Sequence, residues 1–245
     1  MPERIAIIAA MEREIRPLVR SWEARPLDAG GVTLSCFQRD GVTALCAGIG
    51  PEAARRAAEA VIAHAKPQLV ISAGFAGALE SGIRVGTVIR PASVVESGSG
   101  RRFTITDGSG ILVSSPEAVG PSRKRELGGL FRAQAVDMEA AAVAEVAARH
   151  GIGFRAVKAI SDELEFRILD FSRFVDGAGQ LHTGRLLGFV AVRPARWPTL
   201  LRLAQSSRLA AARLCRALSD MLREQQHGDA TRETQAPSLL EPRLH

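Results

Sequence analysis

Two types of segment alternate along the first two thirds of the chain: short apolar runs, and longer alanine-rich stretches that carry charged residues at helical spacing. The short runs predict buried strands, and the longer stretches predict helices packed on them. The predicted strands are residues 5–10, 32–37, 42–47, 69–73, 87–95, 111–114 and 154–160. The predicted helices begin at residue 12 or span residues 51–65, 116–127 and 138–150. This alternation favours an α/β fold of three layers, α-β-α, whose central sheet is mixed, mainly parallel and twisted.

Glycine and proline residues mark the breaks between these elements. The turn at 48–50 precedes Pro51, and proline suits the first position of a helix. The segment 39–41 joins two of the strands as a hairpin. The Gly/Ala stretch at 74–77 is predicted to be a loop that follows its strand.

The pattern of apolar and polar residues changes after Asp162. Residues 166–184 are predicted to be loop-like, and residues 186–222 form an apolar, arginine-rich helical tail that prolines interrupt. From residue 223 to 245 the chain is polar and is predicted to be disordered. We therefore expect a single domain over residues 1–222.

Composition excludes several classes of protein. With 245 residues, of which 46% are hydrophobic, the chain can build one sizeable core. Its three cysteines form no CxxC pair, so neither a disulfide framework nor a zinc site is expected. The sequence shows no signal-peptide pattern and no apolar stretch of the ~20 residues that a membrane span needs. A cytoplasmic location is predicted, with no metal and no cofactor.

The charge leaves three kinds of partner open, because a net charge of +6 and a pI of about 10.2 suit nucleic acid, an anionic membrane or an anionic substrate. The arginines are mostly dispersed and no nucleic-acid motif accompanies them, so nucleic acid is not expected. In the tail, however, the apolar run 186–192 precedes Arg193, Arg196 and Trp197. This segment either packs as an ordinary helix whose arginines reach water, or lies peripherally on an anionic inner membrane.

Three carboxylates follow predicted strands: Glu14, Glu139 and Asp162. Ligands of an open parallel sheet bind beyond the carboxyl ends of its strands, so these side chains are expected to converge on one cleft. Each also has a simpler interpretation. Glu14 suits a solvated helix face, Glu139 suits a helix N-terminus and Asp162 suits a turn cap. The pattern of residues leaves both interpretations open.

Four segments carry a family resemblance. Residues 10–14 read Ala-Met-Glu-Arg-Glu, residues 72–77 read Ser-Ala-Gly-Phe-Ala-Gly, residues 136–139 read Val-Asp-Met-Glu and residues 158–162 read Lys-Ala-Ile-Ser-Asp. In order and spacing they resemble the methylthioadenosine/S-adenosylhomocysteine nucleosidases of the nucleoside phosphorylase/nucleosidase superfamily.

The resemblance implies a purine nucleosidase, a role for each matching residue, and a homodimer. Asp162 gives a proton to purine N7, and Ser161 orients it. Glu139 binds the ribose hydroxyls, Met138 packs on the sugar and Glu14 activates the attacking water. The remaining residues expected to shape the cleft or contact the substrate are Gly74, Gly77, the turn at 48–50, Phe75, Lys158, Ala118 and Val119.

The chemistry asks for such groups independently of the family. A purine anion leaves poorly, so an acid must protonate it, and burial raises the pKa of a carboxyl group. The departing sugar resembles an oxocarbenium ion, which nearby carboxylates stabilise.

The chain also departs from the nucleosidase pattern. Phe75 replaces a small polar residue, Lys158 replaces a frequent arginine, and Ala118 and Val119 replace larger residues. The segments 171–175, 179–184 and 192–198 resemble instead the hopanoid-associated phosphorylases. These are implied to remove adenine from adenosylhopane, a nucleoside with a triterpenoid at its 5′ carbon.

Several alternatives stay open. The nucleophile is water or phosphate: Glu14 favours water, whereas Arg13 and Lys158 would suit inorganic phosphate as a co-substrate. The substrate is a methylthioadenosine-type nucleoside or one with a larger 5′ group. A nucleotide-binding regulatory module without catalysis is the contrasting class, and the three carboxylates argue against it.

Overall fold

The computed structural model describes the backbone of residues 4–166 and 197–234 and the side chains of residues 4–166 and 201–225. The strands in these residues are Ile5–Ala9 (β1), Glu23–Ala24 (β2), Leu27–Asp28 (β3), Thr33–Arg39 (β4), Val42–Cys46 (β5), Leu69–Ala78 (β6), Val88–Ile89 (β7), Ser93–Glu96 (β8), Arg102–Thr104 (β9), Ile111–Ser114 (β10), Ala135–Asp137 (β11) and Gly153–Asp162 (β12). The helices are Glu12–Val19 (α1), Pro51–Ala65 (α2), Pro121–Phe131 (α3), Ala140–Arg149 (α4) and Trp197–Thr234 (α5).

Strand β6 lies at the centre of the sheet. It pairs in parallel with β1 on one edge and with β12 on the other, and β1 continues in parallel to β5. A second parallel group, β8, β10 and β11, joins β6 through an antiparallel pairing of β11. Strands β4 and β5 form the expected antiparallel hairpin. The predicted mixed, mainly parallel sheet is confirmed.

Helices cover both faces of this sheet. Ile7 of β1 packs with α1 and α5, whereas its neighbour Ile8 packs with α2 and α4. Successive side chains of a strand point to opposite faces, so a strand that is buried on both faces becomes a continuous apolar run. The alanines of α2 and α4 allow those two helices to pack closely together on one face.

One edge of β6 carries a gap that shapes the site. Strand β1 pairs with β6 only as far as Ser72, and β11 approaches antiparallel and pairs with Gly77 and Ala78. Because β12 occupies the other edge as far as Gly77, β1 and β11 share this one. Their carboxyl ends therefore face each other across residues 73–76 of β6.

Three expectations about elements need correction. Residues 74–77 are not a loop: β6 runs through them because β12 pairs with it along that length. The strand expected at 87–95 is two strands, β7 and β8, separated around Pro91, which has no amide hydrogen for a ladder. The helix expected at 116–127 begins instead at Pro121 and ends at Phe131.

The tail packs on the domain through α5. Leu214 and Leu218 are fully buried against the layer that contains α1. The helix continues to Thr234, so residues 223–234 are helical where disorder was predicted. The loop expected at 166–184 and the apolar run at 186–192 fall almost wholly outside the described residues. In the part of the chain that is described, no helix has the length and apolarity needed to cross a membrane.

Candidate active site

Glu14 lies at the carboxyl end of β1 with its carboxylate inside the protein, only 2% exposed. One of its oxygens, Oε2, accepts hydrogen bonds from the backbone amides of Ala10 at 3.0 Å and Met11 at 3.2 Å. Burial raises the pKa of Glu14, although the Met11 amide and the Lys158 ammonium oppose that shift. The solvated helix face considered from the sequence is therefore wrong.

Gly74 allows this carboxylate to reach the middle of β6. A Cβ atom at Gly74 would lie 3.1 Å from Oε2 of Glu14, which is closer than ordinary van der Waals contact. Glycine at this position therefore brings Glu14 against the gap between β1 and β11.

Lys158 and Asp137 form a buried ion pair beside Glu14. The Lys158 ammonium lies 2.8 Å from Oδ2 of Asp137 and donates to Ser72 Oγ at 3.0 Å. Burial disfavours the ammonium, but the carboxylates of Asp137 and Glu139 more than offset it and raise the pKa of Lys158. Lys158 is thus a charged group held inside the protein by its partners.

Asp137 also connects this pair to α4. Its Oδ2 accepts from the Ala140 amide at 2.9 Å, and its Oδ1 accepts from Ser114 Oγ at 2.5 Å. A carboxylate that accepts a hydrogen bond from a backbone amide in the first turn of a helix fixes the direction of that helix.

Glu139 immediately precedes α4 and faces the turn at 48–50. Its Oε1 accepts from the Gly50 amide at 2.9 Å. Burial and the neighbouring Asp137 carboxylate raise the pKa of Glu139 to about 7, and Lys158 opposes the shift. Glu139 is the N-cap residue of α4, as the helix-terminus interpretation expects, but its side chain makes no hydrogen bond that caps the helix and binds the Gly50 amide instead.

Asp162 is the last residue of β12, which pairs with the other edge of β6. Its Oδ1 accepts from Ser161 Oγ at 2.8 Å, as the expected orienting role of Ser161 requires. Its Oδ2 accepts from the ammonium of Lys124, and the two side chains are 4% and 0% exposed. Asp162 is thus a buried carboxylate with two defined donors, one of them cationic.

Gly77 provides the space for this pair. A Cβ atom there would lie 2.9 Å from Oδ2 of Asp162 and 3.0 Å from Cε of Lys124. Gly74 and Gly77 are three residues apart on β6, which corresponds to about 10 Å of extended strand. Glu14 and Asp162 therefore contact β6 at two points along its length, and we call the stretch of the strand between these points the groove.

The remaining predicted residues differ in exposure. Met138 is half-buried between Asp137 and Glu139, and Phe75 is half-buried between the two glycines of β6. Ala118 is exposed and Val119 is buried in the segment before α3. Among the described residues no group of three or more His, Cys, Asp or Glu side chains is placed to hold a metal ion.

Sequence reasoning missed three residues of this site: Lys124, Asp137 and Ser72. A lysine inside an apolar strand needs a buried carboxylate partner, so Lys158 was a usable signal for Asp137. Lys124 offered no such signal, because it stands between Arg123 and Arg125 in what reads as a solvated basic cluster.

The sequence profile of the phosphorylase superfamily matches residues 4–123 and 104–191, and together these ranges cover most of the chain. The chain belongs to the phosphorylase superfamily. The matched ranges include every strand that contributes to the groove.

Solved structures of other proteins have the same fold. The 5′-methylthioadenosine/S-adenosylhomocysteine nucleosidase of Helicobacter pylori is similar at 17% identity and a TM-score of 0.69, over 91% of this chain and 98% of that chain. The same nucleosidase from Colwellia psychrerythraea 34H, in complex with adenine, gives 18% identity and a TM-score of 0.69 over 91% and 95%. Futalosine hydrolase of Helicobacter pylori gives 18% identity and a TM-score of 0.66 over 90% and 99%.

This phosphorylase superfamily member thus places its carboxylates in two groups. Glu14, Asp137 and Glu139 surround Lys158 at one end of the groove, and Asp162 is paired with Lys124 at the other.

Proposed function

We propose that the protein hydrolyses the N-glycosidic bond of purine nucleosides and releases adenine. The observation that carries the proposal is the arrangement of carboxylates along β6: Asp162, paired with Lys124, lies against Gly77, and Glu14 lies against Gly74, three strand residues away. A nucleoside needs an acid at its base and carboxylates at its sugar, about one ring apart.

The base end would act on the leaving group. Asp162 would pass a proton to purine N7 while the bond from C1′ to N9 breaks. Because N7 takes up a proton as the bond breaks, the purine leaves as a neutral molecule rather than as an anion, which lowers the barrier. Ser161, bound to Oδ1 of Asp162, keeps the carboxyl group in one orientation.

The sugar end would stabilise the positive charge that develops on the ribose. Glu139 would accept hydrogen bonds from ribose hydroxyls, and these bonds strengthen as the sugar becomes an oxocarbenium ion. Glu14 would take a proton from the water that attacks C1′. Its carboxylate is held still by the amides of Ala10 and Met11, so little reorganisation is needed.

Water is the nucleophile that this arrangement favours. A phosphate anion requires free cationic or amide donors, and a carboxylate in its place repels it. The Lys158 ammonium is already engaged by Asp137 and Ser72, and Arg13 faces solvent. Glu14 occupies the position beside them.

For the 5′ substituent we propose an apolar group, as in the adenosylhopane of the hopanoid-associated phosphorylases that segments of this chain resemble. Phe75, half-buried where the family has a small polar residue, and the small side chains of Ala118 and Val119 would give that group room. A methylthioadenosine-type substrate is the second candidate, supported by the fold shared with methylthioadenosine/S-adenosylhomocysteine nucleosidases.

The test is a substrate series with and without phosphate. Adenosine, methylthioadenosine and an adenosine that carries a long 5′-alkyl chain are each incubated with the purified protein. We expect adenine and a free sugar without added phosphate, with the highest kcat/KM for the alkyl compound. A preference for methylthioadenosine would select the second candidate, and sugar 1-phosphate as the product would show that phosphate is the nucleophile.

Glu139 gives this reaction a pH dependence. Its pKa of about 7 means that Glu139 loses its proton between pH 6 and pH 8. Only the ionised carboxylate can accept hydrogen bonds from two ribose hydroxyls. We therefore expect kcat/KM, which reports the free enzyme, to rise over this range with an inflection near pH 7. Glu139→Gln should remove that inflection and lower kcat more than it raises KM.

Glu145→Gln is the matched control for Glu139, since Glu145 lies on the same helix and pairs with Arg55 and Arg101 away from the groove. Its pH profile should be that of the wild type. An inflection near pH 7 that persists in Glu139→Gln would assign it to another group.

Two further predictions concern partners. Contact of the tail with anionic membranes depends mainly on residues 186–196, which lie outside the described residues, and on Trp197. Assembly as a homodimer rests on the family resemblance. Both stay predictions.

A further inference from the structure

Lys124 is buried where its neighbours are exposed. Its ammonium donates to Oδ2 of Asp162 and, at 2.9 Å, to the main-chain carbonyl of Glu163, and its side chain is 0% exposed. Arg123 and Arg125, which flank it on α3, form exposed ion pairs with Glu126 and Glu165. Lys124 therefore differs from the basic cluster in which it stands.

The surrounding structure makes room for this lysine. Gly77 lacks the Cβ atom that would lie 3.2 Å from its Nζ, so β6 lets the ammonium reach Asp162. Burial of an ammonium and a carboxylate is costly, and a pair of apolar side chains of similar volume usually stabilises a fold at least as well. Stability alone therefore does not require a lysine here.

The pair matters for the proton that the base needs. A general acid must carry its proton when the leaving group departs, but an adjacent ammonium stabilises a carboxylate in its ionised form. A carboxylate in that form has no proton of its own to give. The Lys124–Asp162 pair as a whole does contain one transferable proton, whichever atom holds it.

We infer that Lys124 is the positioning residue that supplies, through Asp162, the proton taken up by the leaving base. The inference rests on the proposed function. As the bond between C1′ and N9 breaks, its electrons enter the purine, N7 takes a proton from Asp162, and Asp162 takes one from Nζ of Lys124. Water adds its hydroxyl group to C1′ and gives its proton to Glu14. Proton return from Glu14 to Lys124 through solvent completes the cycle.

Lys124→Met is the first test, because methionine replaces the unbranched stem of the lysine side chain and removes the ammonium with its proton. We expect kcat for adenine release to fall about 10- to 100-fold, with KM within about threefold, because Asp162 must now carry its own proton. For the same reason the remaining kcat should rise as the pH falls, which is opposite in direction to the rise with pH that Glu139 gives the wild type.

The charged groups that bear on this profile are few among the described residues. Lys124 contacts Asp162, the adjacent Glu163 pairs with Arg84, and the cluster across the groove consists of Glu14, Asp137, Glu139 and Lys158. These groups stay unchanged in Lys124→Met, so a change in the pH profile reports the loss of the Lys124–Asp162 pair.

Arg125→Met is the matched control. Arg125 is the next residue on α3 and also ties this helix to the end of β12, through Glu165, but it does not touch Asp162. A role of Lys124 limited to anchoring α3 would make the two variants alike. We expect Arg125→Met to keep the kcat and the pH profile of the wild type.

A double variant covers the case in which Lys124→Met alone does not fold, since Lys124→Met with Asp162→Asn leaves no unpaired charge. If Lys124 acts only through Asp162, the double variant should have the kcat of Asp162→Asn within about twofold, because residues that act as one unit are not additive. A further tenfold loss would overturn the inference, as would a wild-type pH profile in Lys124→Met. A wild-type protein that releases no adenine from any nucleoside would instead reject the proposed function.

Discussion

Asp162→Asn is expected to lower kcat for adenine release by roughly two to four orders of magnitude, the usual contribution of a general acid. Asparagine keeps the shape of the side chain and a carbonyl oxygen that can accept from Lys124, but it cannot pass a proton to N7. Nucleoside binding should change only a few-fold, because the ribose contacts at Glu139 remain. Initial rates of adenine formation, with Kd from a non-hydrolysable nucleoside, provide the measurement.

The control for this variant is Glu165→Gln, which removes an exposed carboxylate three residues further along the chain. It should leave kcat unchanged. The melting temperature of Asp162→Asn must also be measured, because a buried lysine that loses its charged partner destabilises a fold. A folded Asp162→Asn protein with near-normal kcat would remove Asp162 from the mechanism.

Glu14→Gln is expected to lower kcat by about 10²- to 10⁴-fold, because the attacking water loses the base that accepts its proton. Glutamine retains a carbonyl oxygen for the amides of Ala10 and Met11, so the start of α1 should stay intact. The loss should appear in kcat with the melting temperature close to that of the wild type.

Glu12→Gln is the matched control, since Glu12 lies in the same helical turn and is exposed. Its activity should equal that of the wild type. If added phosphate restored the rate of Glu14→Gln and produced a sugar 1-phosphate, the assignment of Glu14 as the base for water would be wrong.

The large features of the fold followed from hydrophobic pattern. Strand β1, helix α2 and the hairpin of β4 and β5 were predicted because each is a local pattern with clear breaks. The extension of β6 through 74–77 was not, because glycine and alanine are common in loops. Only the pairing with β12, distant in sequence, makes this segment a strand.

The groove also combines features that follow from local sequence pattern with features that depend on contacts distant in sequence. Glu14, Glu139 and Asp162 were predicted to follow strands, and the structure places all three at carboxyl ends that meet around β6. Lys124 could not be predicted, since its burial depends on how α3 packs against the end of β12. Neither residue spacing nor local charge carries that information.

The most direct measurement of the central claim is product analysis in phosphate-free buffer. The purified protein is incubated with adenosine and with 5′-substituted adenosines, and adenine, free sugar and sugar 1-phosphate are quantified together. The account predicts adenine and free sugar in equal amounts, with both lost in Asp162→Asn and Glu14→Gln. No adenine from any of these nucleosides, or adenine formed only when phosphate is added, would contradict it.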